Sequence, residues 1–196
     1  MSASAVSPER FGEAQRRQFE NPVTWSVMDE TIRSNRLTLR RLTVDDAPHF
    51  ARLLGCDSPS VQMMATMPDP CTEQGAREWI EKKTGPSGHG FAILRNEDQE
   101  FLGSIGFGGP PETPALGYWI GRPYWGQGYA TEAVELAIEM ARSLGVLKLE
   151  AETFANNPAS GRVLEKAGFR STGSYVRDFA TRGGSRTLCT YELKLG

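Results

Sequence analysis

Two short stretches carry residue types that can do chemistry. The first is Trp125-Gly126-Gln127-Gly128-Tyr129-Ala130-Thr131, a pair of glycines just ahead of an apolar helical pattern. The first N–H groups of a helix have no internal partners, and the helix dipole favours an anion there. Glycines at 126 and 128 remove the Cβ atoms that would hold a phosphate off those donors, so Gly126–Thr131 is a candidate cradle for a pyrophosphate. A plain tight turn is the competing reading. The Lys-Ser/Thr ending of a Walker loop is missing, and the third glycine position of a dinucleotide fingerprint holds Thr131. The second stretch is Asn157-Pro158-Ala159-Ser160. Asn157 suits a helix N-cap and Pro158 the first helical position, which puts the Ser160 hydroxyl in the first turn.

Other reactive side chains are more scattered. Glu150 and Glu152 lie two apart on an alternating stretch, so one face of a strand holds both. His49 and His89 sit in no pairing motif with Cys56, Cys71 or Cys189, which argues against covalent catalysis. Two isolated histidines do not make a metal site, and none is expected. Three widely spaced cysteines without a CxxC read as reduced thiols of a cytoplasmic protein. A net charge of −2 gives no basis for non-specific binding to nucleic acid or to an anionic membrane, so neither partner is expected. No apolar run approaches the roughly 20 residues of a membrane span. The first 20 residues lack the apolar core of a secretory signal.

The elements that must position these groups follow from periodicity. Residues 1–34 read as an N-terminal extension with a short helix from Pro8 to about Glu20; residues 35–196 read as one domain. Arg36–Leu42 alternates as a strand, then a helix capped by Thr43 or Asp45 runs to Gly55. A second helix starts at Thr72. Two strands flank the turn Asn96–Gln99, and Ala115–Gly121 is another. Ala130, Ala133, Val134, Ala137, Ile138, Ala141 and Leu144 recur at helical spacing, with Gly145 as the stop. Leu147–Phe154 is a strand, and the helix after Asn157 buries Val163, Leu164 and Ala167 and ends at Gly168. Two final strands, near 168–176 and 187–195, are joined through Thr181–Arg186. The expectation is a mixed α/β (α+β) fold of about seven strands and four helices. Its sheet is mostly antiparallel with a central parallel pair around residues 116–154.

Over residues 35–195 the chain resembles the GNAT (GCN5-related N-acetyltransferase) superfamily, most closely its RimJ/RimL-type branch. The resemblance rests on "GYWIGRPYWGQGYATEA" followed by "LEAETFANNPASGRVLEKAGF", with "TIRSNRLTLRRLTVDDAPHF" resembling the family's first strand and helix and "YELKL" its last strand. It implies the acyl-CoA N-acyltransferase fold and acetyl-CoA as co-substrate. The family loop R/Q-G-x-G-x-A falls on Trp125, Gly126, Gln127, Gly128, Tyr129 and Ala130, with Thr131 beside it. Trp125 stands where many relatives have Arg or Gln. The pantetheine arm is implied along Gly117–Ile120, where that strand parts from Thr153–Phe154. Arg122, Arg162 and Lys166 are candidates for the distal phosphates, or ordinary surface charges.

Many family members place a proton-donating tyrosine where this chain has Leu164. The RimJ/RimL-type N-x-x-S pattern implies instead that Asn157 bonds the pantetheine and Ser160 offers its hydroxyl to the coenzyme sulfur. An N–H near Ile120 is implied as the oxyanion donor, with direct attack by the acceptor amine. Glu150, Glu152 and Tyr118 are candidate bases. An α-amine, with a reference pKa of ~7.7–8.0, needs little help from a base; a lysine amine at ~10.4 needs much more. The acceptor expected is therefore a protein or peptide N-terminus. The alternatives are a small-molecule amine (a metabolite or antibiotic) and a non-catalytic acetyl-CoA-binding module. Met63, Met64 and Met67 read as an acceptor wall or as core, and Trp119 and Trp125 as pocket or packing aromatics. A homodimer is left open.

Overall fold

The computed structural model describes residues 31–55, 58–84, 88–110 and 113–196. The helix expected from Pro8, and Cys56, lie outside them. Eight strands form one sheet in the order β1-β2-β3-β4-β5-β6-β8-β7. They are β1 (Ile32–Arg33), β2 (Leu37–Arg41), β3 (Gly88–Arg95), β4 (Phe101–Gly108), β5 (Ala115–Ile120), β6 (Lys148–Phe154), β7 (Arg170–Phe179) and β8 (Gly184–Lys194). Every neighbouring pair is antiparallel except β5 and β6. Five α-helices are described: α1 (Ala47–Leu54), α2 (Pro59–Gln62), α3 (Glu73–Thr84), α4 (Tyr129–Ser143) and α5 (Pro158–Lys166).

The fold is the expected mixed α/β one, with one more strand and one more helix. β1 spans two residues and α2 one turn, too short for periodicity to reveal either. β1 also brings Ile32–Arg33 into the sheet, ahead of residue 35. The last hairpin is longer than expected, because the turn tightens at Ala180–Arg182 and Gly183 takes φ +71°, letting the ladder run to Phe179 and Gly184.

The sheet separates two cores. On one face, Leu39, Phe91, Ile105, Leu116 and Leu149 pack against the apolar stripe of α4 and against Leu164 of α5. Burying Val134 and Ile138 there contributes about 1.5–3 kcal/mol each. On the other face, Ala92, Leu94, Phe101 and Trp119 pack against Phe50, Val61, Ala76 and Ile80 of α1–α3. Both α4 and α5 stop in the same way. Val146 and Gly145 donate to the carbonyls of Ala141 and Arg142, and Phe169 and Gly168 to those of Leu164 and Glu165. These are paired Schellman bonds, which fix where each helix ends and so where its start can lie.

Candidate active site

β5 and β6 pair only at Ala115–Glu150 and Leu116–Ala151, then part. Along β5, Gly121 N–H donates to the Leu102 carbonyl, so by antiparallel alternation Tyr118 and Ile120 turn their N–H and C=O groups away from β4, into the gap. The Ile120 carbonyl is taken by the Trp125 indole N–H at 2.7 Å and the Ser60 hydroxyl at 3.4 Å. A cavity of about 1020 Å³ runs through the opening, reaching Gly126 and Thr131 at one end and Met63 and Trp79 at the other.

The loop before α4 meets the cavity with backbone. Gly126 has φ +74° and Gly128 φ +82°, a conformation that side-chain-bearing residues rarely adopt. A Cβ on Gly126 would project into open space. The first backbone bond at the start of α4 runs from Glu132 N–H to the Gly128 carbonyl at 3.1 Å. Among the described residues, the amides of 126–131 ahead of it donate to nothing. Gly126, Gly128, Tyr129, Ala130 and Thr131 all line the cavity. The Gln127 side chain instead donates to the Pro123 carbonyl at 3.1 Å, closing the loop on itself.

Two hydroxyls converge beside the gap. The Tyr118 phenol lies 2.7 Å from Ser160 Oγ and 3.1 Å from the Ser160 carbonyl oxygen. Asn157 caps α5, its carboxamide oxygen accepting from Ser160 N–H at 3.2 Å. That bond leaves the Asn157 –NH2 group, unpartnered among the described residues, able to donate to a ligand. Burial pushes the Tyr118 phenol up to about 12; the bond to Ser160 pulls the other way, and Tyr191 adds to the rise. Tyr191, which the sequence marks only as part of the last strand, also sits so close to α5 that a Cβ on Gly161 would meet its hydroxyl at 2.6 Å.

The carboxylates occupy the opposite side. The pairing of Ala115 with Glu150 and Leu116 with Ala151 sets Glu150 and Glu152 on the face away from Tyr118. Both are exposed and line the cavity. Lys148 Nζ lies 2.7 Å from Glu150, and the Tyr175 hydroxyl 2.7 Å from Glu152. Met63 and Met64 line the cavity on this side, whereas Met67 is fully buried in the core. Trp79, unmarked by any sequence signal, joins that wall and donates to the Thr66 hydroxyl at 3.0 Å. Trp119 is buried against Phe50, and Trp125 is half exposed. Arg162 and Lys166 are exposed and reach the cavity, while Arg122 stands outside its lining. His89 also lines the cavity; burial and neighbouring Arg41 hold its pKa below the ordinary value. Burial pushes the Cys71 thiol up to about 11, which keeps it un-ionised.

Undonated amides at a helix start, a parted strand edge and a nearby hydroxyl pair suit an elongated ligand with an anionic diphosphate, an amide-bearing arm and a reactive end. Residues 36–170 match the acetyltransferase (GNAT) domain family. The chain belongs to the GNAT acetyltransferases. It is 30% identical over 174 residues to p20, an uncharacterized N-acetyltransferase of Bacillus licheniformis, a match that spans 85% of this chain and 96% of p20. The fold is shared with a GNAT-family acetyltransferase from Bacillus anthracis (TM-score 0.73, 22% identity, 85% of this chain and 99% of that one). It is shared equally with RimL, a ribosomal L7/L12 α-N-protein acetyltransferase solved with coenzyme A (TM-score 0.74, 18% identity, 85% and 98%). GNAT domains use acetyl-CoA.

Proposed function

We propose that this GNAT enzyme transfers acetyl from acetyl-CoA directly to the α-amino group of a protein or peptide N-terminus. The observation that carries the proposal is the parted β5–β6 edge, with hydroxyls on one face and carboxylates on the other. That layout lets an amine approach from one side while a thiolate leaves on the other. Acetyl-CoA supplies an activated acyl carbon and a thiol leaving group. The amides of residues 126–131 hold its diphosphate, the β5 edge and Asn157 hold the pantetheine, and Arg162 and Lys166 stand ready for the outer phosphates. Ile120 N–H faces the gap as a donor for the charge that develops on the carbonyl oxygen.

Ser160 gives its hydroxyl hydrogen bond to the departing sulfur, and solvent supplies the proton because serine is a poor acid. Tyr118 orients that hydroxyl. With its pKa near 12, a phenol is ionised in roughly one molecule in ten thousand at pH 8, so Tyr118 acts as a donor and not as a base. Exposed Glu150 and Glu152 attract the ammonium form of the acceptor and pass its proton to water. Such weak help suffices for an α-amine, whereas a lysine amine starts about 3.5 kcal/mol further from its neutral form. The RimL neighbour acts on a protein α-amine, which agrees with this choice.

The test is coenzyme A thiol release from acetyl-CoA against N-terminal peptides, polyamines and aminoglycosides. Release with free-N-terminus peptides that vanishes on N-formylation is expected. Release with polyamines or aminoglycosides alone would overturn the peptide assignment in favour of a small-molecule amine. Release with no acceptor, despite coenzyme binding, would make the chain a binding module.

A further inference from the structure

The loop that presents the amides is held from outside the cavity by a residue that the proposed mechanism does not use. Arg36, at the entry to β2, is not part of the cavity lining. Its Nη1 donates to the Gln127 carbonyl at 3.0 Å, its Nε to Glu132 Oε2 at 2.7 Å, and its guanidinium lies over the Tyr129 ring at 4.9 Å. The other Glu132 oxygen is taken by the Ser34 hydroxyl at 2.5 Å. The Ser34–Arg36 corner is anchored in turn, because Asn96 N–H donates to the Arg36 carbonyl and the Asn96 side chain to the Ser34 carbonyl.

Two consequences follow. The carbonyl of Gln127 and the N–H of Gly128 belong to one trans peptide plane and point in opposite directions. Pinning the carbonyl on Arg36 therefore sends the Gly128 N–H the other way, where Gly126 and Gly128 border the cavity. Glu132 sits in the first turn of α4, just outside the cavity lining, where its negative charge opposes the pull of the helix start on an anion. Burial pushes its carboxyl up, but Ser34 and Arg36 together outweigh this and keep it ionised. Among the described residues its charge is cancelled by Arg36 alone, in an ion pair of 2.5 Å.

We infer that Arg36 is a positioning residue for the coenzyme diphosphate: it fixes the direction of the loop amides and screens Glu132 from the phosphates. The inference rests on the acetyl-CoA reading of this site, and the test keeps the two apart. Calorimetry and steady-state kinetics would compare acetyl-CoA with acetyl-pantetheine, which carries the same thioester and no diphosphate. Arg36→Ala is expected to raise the Kd and KM for acetyl-CoA about 30-fold, the loss of one charge-assisted clamp, with kcat and all acetyl-pantetheine parameters unchanged. Arg36→Ala combined with Glu132→Gln is expected to recover about threefold to tenfold of the lost affinity, since the unscreened charge is gone. Equal losses with both donors would mark Arg36 as merely structural, and an unchanged acetyl-CoA Kd would remove it from the site; either overturns the inference alone. A wild-type chain that binds neither donor would overturn the acetyl-CoA reading and this inference with it.

Discussion

On the donor side of the sheet, the groups that meet the cavity are backbone amides and hydroxyls whose local conformations come from their neighbours in sequence, with Arg36 and Tyr118 as props from β2 and β5. Gly126 and Gly128 turn the loop, Asn157 seats Ser160, and the glycines after α4 and α5 fix each helix's far end. On the acceptor side, the wall of Met63 and Met64 is side chain, and it is held from far away. Arg182, buried in the turn between β7 and β8, donates to the Met64 carbonyl at 2.9 Å and to the Met67 carbonyl, reaching back 118 residues to Met64. A backbone-built site is tied to the local conformations that build it and tolerates little variation. A side-chain wall pinned at its carbonyls can change its residues while keeping its frame. This division suits an enzyme with a fixed donor and a variable acceptor.

The largest expected effect breaks the donor side at its chemical end. Ser160→Ala should lower kcat about 10²-fold, the scale for losing one hydrogen-bond donor aimed at developing negative charge, while the acetyl-CoA Kd stays within a factor of three. Rapid-quench turnover with calorimetry separates the two quantities. Unchanged turnover would take the serine out of the chemistry and leave the donor side a binding surface only.

Next comes the acceptor frame. Arg182→Met removes the bonds to Met64 and Met67, each from a charged donor, and should raise the acceptor KM about tenfold or more with the acetyl-CoA Kd unaltered. If both substrates weakened together, the two sides would not be independent. If the melting temperature fell while acceptor KM held, Arg182 would be a fold residue with no bearing on the wall.

The same contrast explains what could be read from the sequence. The start of α4, its Gly145 stop and the Asn157 cap were legible because each depends on residues within a turn of one another. The parallel pair was legible as two strands around a helix, but not the two-residue length of its ladder, which depends on where β5 stays with β4 and β6 with β8. Tyr118 and Ser160 were each distinguishable in the sequence, yet nothing in their spacing says that their oxygens lie 2.7 Å apart. Arg36, Arg182, Trp79 and Tyr191 carry no local signal of their contacts, since each acts on a partner that only the assembled sheet brings near.

The smallest expected effect stays on the hydroxyl face, at the contact between Tyr118 and Ser160. Tyr118→Phe removes a phenol that touches both oxygens of Ser160 and leaves the serine itself in place. A neutral hydrogen bond is worth about 1 kcal/mol, so kcat should fall roughly fivefold, well short of the serine variant. The pH profile sharpens the point. Burial, with Tyr191 adding to it, lifts the phenol to about 12 against the pull of Ser160, so it stays protonated throughout pH 6–10 and contributes no titration in that window. The rise of wild-type kcat/KM with pH then belongs to the acceptor, with its midpoint near pH 8 for an α-amine. In Tyr118→Phe the whole curve should drop with its midpoint unmoved. A midpoint that shifted, or a rise that disappeared, would mean that Tyr118 takes the amine proton, and the carboxylates across the sheet would lose their part in the reaction.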